Sequence, residues 1–268
     1  MTIENLIKTT TSTLNKAGIG SARLDAELLL AHVIGRPREW LTAHDDEPIT
    51  DDQTSAYAAL VQRRVNREPL VHLVGSREFY GFDFTITPDV LTPRVETEQM
   101  VEWAIKYAPP TSSLIDIGTG SGAIAIAIKL NRSDLAVTAT EVSLAALEVA
   151  KTNARRHDVE LTFIESDLWD SVEPSFDTIV TNLPYLRDDA DLMPEVRREP
   201  AVALFGGTDG LDLYRRFLVG LKDHLNPNGY LFTECDPWQH EGLIAEAAKY
   251  GLAPVEQGYF ILGFKLQA

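Results

Sequence analysis

From Ser113 to the end of the chain, short apolar runs alternate with amphipathic stretches, and few folds satisfy that rhythm. Residues 114–117, 136–139, 161–164, 178–181 and 229–234 each read as a short strand bounded by turn-forming residues. Between and after them, residues 123–130, 144–156, 211–225 and 240–250 place apolar side chains at helical spacing. The last run, 258–266, follows Val255 so closely that the two are expected to pair as an antiparallel hairpin. Strand–helix alternation requires a largely parallel sheet with helices on both faces, because a parallel crossover needs a helix to cover it. The expectation is an α/β fold with seven strands, ending in an antiparallel pair that a plain dinucleotide-binding sheet lacks.

The residues before this block follow a different pattern. At 268 residues the chain has room for a small domain beside a larger one. Helices are expected over 3–17, from Ser21 as N-cap to Gly35, over 37–43, and from Asp51 or Asp52 as N-cap to the Glu68-Pro69 break. Residues 78–86 alternate as a hairpin bending near Gly81, and 97–107 resume as a helix. The boundaries are therefore set at 1–69 for a helical domain, 70–92 for a hairpin linker and 93–268 for the α/β domain. The longest apolar stretch, 28–34, is too short to span a membrane and contains His32. The acidic first residues lack a secretory pattern, and a cytoplasmic location is expected. Cys235 is the only cysteine, so neither a disulfide nor a cysteine zinc cage is expected. The net charge of −16 disfavours direct nucleic-acid binding, which normally needs a basic face. The run Arg63-Arg64-Val65-Asn66-Arg67 reads as a solvated helix end.

The first strand of the α/β block runs into Asp116-Ile117-Gly118-Thr119-Gly120-Ser121-Gly122. Glycines there let backbone amides approach a ligand and allow positive φ. The spacing differs from the Gly-x-Gly-x-x-Gly dinucleotide fingerprint, and Asp116 places a carboxylate where a pyrophosphate would be repelled. A cationic sulfonium suits that carboxylate, which favours S-adenosylmethionine as cofactor. Glu141 ends the second strand, where an acid takes ribose hydroxyls. Asp167, after the third strand, is placed to accept from the adenine amino group, with Leu168 or Trp169 as an apolar wall. The cofactor-binding set is thus Asp116, Gly118, Thr119, Gly120, Gly122, Glu141, Asp167, Leu168 and Asn182. Together these features describe a seven-stranded class I S-adenosylmethionine-dependent (Rossmann-like) methyltransferase domain.

After the fourth strand comes Asn182-Leu183-Pro184-Tyr185. An amide nitrogen is a poor nucleophile because its lone pair is delocalised. The Asn182 side-chain oxygen and the Leu183 carbonyl can each accept one of its N–H groups, fixing its orientation. Pro184 restricts Leu183 to extended geometry, and Tyr185 is expected to stack on a flat amide or base. The tetrad alone leaves an amide and an adenine nitrogen as alternatives.

Several segments resemble the HemK/PrmC family of peptide chain release factor N5-glutamine methyltransferases. They include Arg67-Glu68-Pro69-Leu70, Gly75-Ser76-Arg77-Glu78-Phe79-Tyr80-Gly81, Leu91-Thr92-Pro93-Arg94-Val95-Glu96-Thr97-Glu98, and residues 198–211, besides the glycine loop and the tetrad. The resemblance covers nearly the whole chain. It implies methylation of the glutamine in the Gly-Gly-Gln motif of class 1 release factors, with a helical N-terminal domain that helps bind the factor. It also implies that residues 93–98 lie near the mouth of the active site. Three segments depart from the family pattern: Leu183 stands where proline is usual, Glu234-Cys235-Asp236 lacks the usual glycine, and the C-terminal hairpin lacks the usual Asp/Arg-rich ending. Alternatives are a ribosomal-protein glutamine, an N6-adenine on RNA or DNA, and a silent binding module.

Overall fold

The structure is a computed structural model that describes residues 1–173 and 175–267. It divides into two compact units, Met1–Ser76 with Met193–Arg198, and Arg77–Leu192 with Glu199–Ala268.

The first unit is helical: α1 (Ile3–Lys16), α2 (Ala22–Ile34), α3 (Arg38–Ala43), α4 (Asp51–Val65) and α5 (Leu70–Val74). Ile3, Leu29, Leu30, Leu41 and Tyr57 form its core. The Tyr57 hydroxyl is satisfied within that core by donating to the Ala26 carbonyl at 3.0 Å. Two caps differ from expectation. Thr50, rather than Asp51 or Asp52, caps α4 and shares a capping box with Gln53. The two aspartates fall instead in the first turn, where their charge faces the positive end of the helix dipole. Ser21 occupies the N-cap position of α2 but makes no side-chain cap bond. Helix α5 lies within the stretch expected to be hairpin linker, bounded by Pro69 and by Gly75 at φ 77°.

The basic run is not a solvated helix end. Arg64 is buried, with Nε donating to Asp25 Oδ2 at 2.7 Å and Nη1 to Glu195 Oε1 at 2.9 Å. Arg67 donates to the same Glu195 oxygen at 3.1 Å, and Arg63 pairs with Glu68. The charges are thus used up on carboxylates, one of them from the short segment Met193–Arg198 that folds with this unit.

The second unit opens with a hairpin of β1 (Ser76–Phe79) and β2 (Phe82–Thr85). Tyr80 and Gly81 at its tip both have positive φ, 53° and 80°, as a tight hairpin turn requires. Then follow α6 (Glu98–Tyr107), β3 (Ser113–Ile117), α7 (Ala123–Asn131), β4 (Ala136–Glu141), α8 (Leu144–Arg156), β5 (Thr162–Glu165) and β6 (Phe176–Thr181). The chain ends with α9 (Asp212–His224), β7 (Leu225–Glu234), α10 (His240–Ala248), β8 (Leu252–Gln257) and β9 (Ile261–Leu266). The seven strands β3–β9 form one sheet in the order β5-β4-β3-β6-β7-β9-β8. The first five are parallel, and β9 runs antiparallel to both β7 and β8.

Helix α9 buries Tyr214, Phe217, Leu218 and Leu221, a helical stripe against the sheet residues Ile115, Ile179 and Leu231. Each such side chain contributes roughly 1.5–3 kcal/mol on burial. The β6–β7 pairing is irregular at one end: Phe176 faces Leu225, yet Thr178 faces Tyr230. Residues 226–229, standing opposite Asp177 alone, form a bulge with Pro227 and Asn228 exposed at its tip, and from Tyr230 onward the ladder is regular. Among the described residues, no helix is long and apolar enough to cross a membrane.

Candidate active site

Strand register assembles the site. Ile117 faces Thr140 on one side and Thr181 on the other, and Thr181 faces Thr233. The residues that follow, Gly118, Glu141, Asn182 and Glu234, therefore leave neighbouring strands side by side at the carboxyl edge, where such sheets bind ligands. A cleft of about 220 Å³ opens there. Gly118, Gly120, Glu141, Asp167, Leu168 and Asn182 of the expected cofactor set line it, as do Leu183 and Pro184. Asp116, Thr119, Gly122 and Tyr185 do not.

The glycine loop is held from below. The N–H groups of Gly118 and Thr119 both donate to the Thr140 carbonyl, at 2.9 and 2.8 Å. Gly122 has φ 81°, and a Cβ there would lie 3.0 Å from Ile126 Cδ1 and 3.1 Å from Ala150 Cβ. That glycine is needed for its conformation and for the close approach of α7 to α8. Glu141 is fixed at both oxygens: Oε2 accepts from Gly120 N at 2.9 Å, and Oε1 from Val142 N at 2.9 Å and Ser143 N at 3.1 Å. A residue not singled out from sequence also braces the loop. Asn153, fully buried on α8, bonds Thr85 N and O of the hairpin and the Ser121 carbonyl of the loop.

Asp116 sits beneath the loop, where it is wholly excluded from solvent. Its Oδ2 accepts from the Thr119 hydroxyl at 2.7 Å, so Thr119 also turns inward, and Oδ1 has no partner. Burial, reinforced by the nearby Glu141 charge, pushes the Asp116 carboxyl up to about 7. Of the expected cofactor acids, Glu141 and Asp167 line the cleft, where Asp89 joins them.

At the far end Asp167 Oδ2 accepts from Arg216 Nη2 at 2.8 Å in a half-exposed pair. Arg216 lines the cleft and had no signal in the sequence beyond being a charge on a helix. Next to it, Leu168 holds φ 52°, a left-handed conformation that costs a leucine about 1–3 kcal/mol. Ser166 secures it, its hydroxyl donating to the Leu168 carbonyl at 2.9 Å and accepting from Ser171 N at 3.0 Å. The glycine loop, the two acids and the apolar wall formed by Val90, Leu91, Ala146 and Leu168 fit S-adenosylmethionine.

The tetrad lies at the other end of the cleft. The Leu183 side chain is buried, and its Cδ2 lies 3.6 Å from where a Gly118 Cβ would stand, so it packs under the glycine loop. Its carbonyl lies 3.4 Å from the Tyr214 hydroxyl, which also donates to the Glu234 carbonyl. The Tyr185 ring packs on the core away from the cleft, and its hydroxyl donates to Glu234 Oε1 at 2.9 Å. Burial beside that carboxylate raises the Tyr185 pKa, so the ring stays neutral. The Asn182 amide nitrogen is 3.5 Å from Thr97 Oγ1, whose hydroxyl donates to Glu234 Oε2 at 2.6 Å. Thr97 belongs to the segment expected at the mouth, and it reaches the site from the start of α6. Also in this segment, Arg94 pairs with the buried Glu199 at 2.5 Å.

Comparison with known proteins places this geometry in a family. Residues 5–75 match the family model described as the PrmC N-terminal domain, and residues 100–199 match the methyltransferase small domain. A release factor glutamine methyltransferase of Geobacter sulfurreducens is 39% identical over 93% of this chain and 89% of its own length. Among solved structures, a methyltransferase from Pyrococcus furiosus shares the fold at a TM-score of 0.55 and 21% identity, covering 70% of this chain and 90% of that one. The 16S rRNA N2 G1207 methyltransferase of T. thermophilus, solved with AdoMet and guanosine, does so at a TM-score of 0.54 and 18% identity, covering 72% of this chain and 50% of that one. A class I fold with an S-adenosylmethionine site, preceded by a helical unit of matching sequence, leaves one conclusion: the chain belongs to the release factor glutamine methyltransferase family.

Proposed function

We propose that this protein methylates the side-chain amide nitrogen (N5) of the glutamine in the Gly-Gly-Gln motif of class 1 peptide chain release factors. One observation carries the reading: Asn182-Leu183-Pro184 lines the same cleft as the cofactor loop, with the Asn182 amino group turned away toward Thr97. The acceptors offered to a substrate are the Asn182 Oδ1 and the second lone pair of the Leu183 carbonyl, whose other contact is the Tyr214 hydroxyl at 3.4 Å; the two oxygens suit the two N–H bonds of a primary amide. When bound, S-adenosylmethionine supplies an electrophilic methyl group. The protein's part is to hold the amide nitrogen in line with it and to draw its hydrogens toward two fixed oxygens, which favours pyramidal geometry. Transfer from the bound donor would exchange its S–CH3 bond for the new N–C bond, leave S-adenosylhomocysteine, and make the amide nitrogen acidic enough to give its proton to water, so no strong general base is required.

Family membership supports release factors as the substrate, and binding the factor is the role we propose for the helical unit. The pairing of Arg63, Arg64 and Arg67 with carboxylates, together with the net charge of −16, argues against a nucleic-acid substrate. A release-factor substrate puts the protein in the cytoplasm. The test is to incubate the protein with labelled S-adenosylmethionine, a recombinant release factor and ribosomal RNA. Label on the factor is expected, lost when its Gly-Gly-Gln glutamine is replaced; label on RNA alone refutes the reading. Asn182→Ala should abolish labelling while cofactor affinity changes less than threefold by calorimetry.

A further inference from the structure

Glu234 closes β7, and the pairing of Thr181 with Thr233 sets it beside Asn182. It is 2% exposed. Its two oxygens receive the Thr97 hydroxyl at 2.6 Å and the Tyr185 hydroxyl at 2.9 Å, and the Asn182 amide nitrogen lies 3.5 Å from that same Thr97 oxygen. Burial raises its pKa, and the neighbouring Thr97, Tyr185 and Asn182 side chains oppose the rise. A carboxylate that is costly to bury, but met by donors from two separate segments of the site, the start of α6 and the tetrad, calls for a purpose beyond packing.

An asparagine amide can rotate by half a turn with almost no change in shape, since its oxygen and nitrogen are nearly the same size. The reaction tolerates only one of the two orientations. With Oδ1 in the cleft, Asn182 accepts a substrate N–H; with Nδ2 there, two NH₂ groups face each other. An ionised carboxylate accepts hydrogen bonds and never donates. Placed behind Asn182 and linked to it through the Thr97 hydroxyl, it selects the orientation that turns the amino group inward.

We infer that Glu234 is a positioning residue for methyl transfer, an acceptor-only group that orients the Asn182 amide so that its oxygen meets the glutamine nitrogen. The inference rests on the amide-methylating reading above. Thr97 serves as the relay, and the Tyr185 hydroxyl saturates the other carboxylate oxygen.

Two substitutions separate orientation from packing. Glu234→Gln keeps the shape but adds a donor: its amide can donate to Thr97 Oγ1, leaving the Thr97 hydroxyl to donate to Asn182 and reverse that amide. Glu234→Asp changes the shape but stays acceptor-only. If orientation is the role, the Asp variant keeps more activity than the Gln variant; if packing is the role, the order is inverted. The expected result for Glu234→Gln is a kcat at least tenfold lower, with KM for the release factor, cofactor Kd and Tm within twofold or a few degrees of the wild type. Wild-type kcat in the Gln variant, or parallel losses of cofactor binding and Tm, would overturn the inference. Independently of any substrate, the Asn182 side-chain NH₂ resonances, assigned by their absence in Asn182→Ala, should shift in Glu234→Gln; unchanged resonances would also overturn it. A wild-type protein that leaves the release factor unlabelled would instead refute the substrate assignment, while the resonances still report on Glu234.

Discussion

Replacing Asp116 with asparagine should stabilise the protein at neutral pH and do so progressively less as the pH falls. The carboxyl is completely buried and pushed from the ordinary value of 3.8 up to about 7. Below about pH 4 it is protonated in both the folded and unfolded chain, so its ionisation has no effect on stability. Between the two values the unfolded chain has lost the proton while the folded chain retains it, and stability falls as pH rises. Each pH unit in that window is worth about 1.4 kcal/mol, so the full cost above pH 7 is on the order of 4 kcal/mol. Asparagine keeps an oxygen for the Thr119 hydroxyl and carries no titratable proton. The stability difference between variant and wild type should therefore widen by roughly 2–3 kcal/mol from pH 5 to pH 8. Chemical denaturation followed by circular dichroism across that range measures it directly. A difference that stays flat to within about 0.5 kcal/mol would show that Asp116 is not a buried carboxyl with a raised pKa.

Other substitutions probe separate features. Leu183→Pro restores the residue usual in the family but removes a buried side chain; methylation should persist, since the carbonyl remains, while unfolding shows a loss of about 1–3 kcal/mol. Arg64→Met leaves Asp25, which is 2% exposed, without its cation, and should cost about 3–5 kcal/mol by denaturation, much of it recovered in the double variant with Asp25→Asn. Gly122→Ala forces a side chain into a φ of 81° against α8, and calorimetry should show cofactor binding lost or weakened more than tenfold.

The α/β block was legible because its signal is local. Each strand is a short apolar run, and the turns that follow carry glycine, Asn-x-Pro or an acid, so element order and the carboxyl-edge site could both be read from spacing. Caps were less legible, because Thr50, Asp51 and Asp52 are all good capping residues and only the geometry of the first turn selects Thr50. Helix α5 is five residues long, too short for periodicity to separate it from an extended linker. Asp116 was expected beside the ligand because it precedes the glycines; that it is fully buried and bonded to the Thr119 hydroxyl depends on packing around β3 that spacing does not encode. Asn153 and Arg216 have partners far away in sequence, and nothing in their own neighbourhood announces them; Glu234 stood out only within a segment that departs from the family pattern, which gives no sign of its partners. Likewise, residues 193–198 fold with the helical unit through Glu195, a long-range ion pair that no local pattern encodes.

The bulge at 226–229 has a consequence for how this sequence can vary in length. All the mispairing of β7 against β6 is taken up there, at a tip where Pro227 and Asn228 are exposed, well before the strand reaches the site. Insertions or deletions in lineages related to this one should therefore collect at that tip, where the ladder can absorb them. From Tyr230 to Glu234 the strand acts as a ruler of five residues with no slack. Losing one of them would draw the carboxylate back by about 3.3 Å and turn it to the opposite face of the sheet. Length is free at one end of β7 and fixed at the other, and the fixed end is the one that meets Asn182.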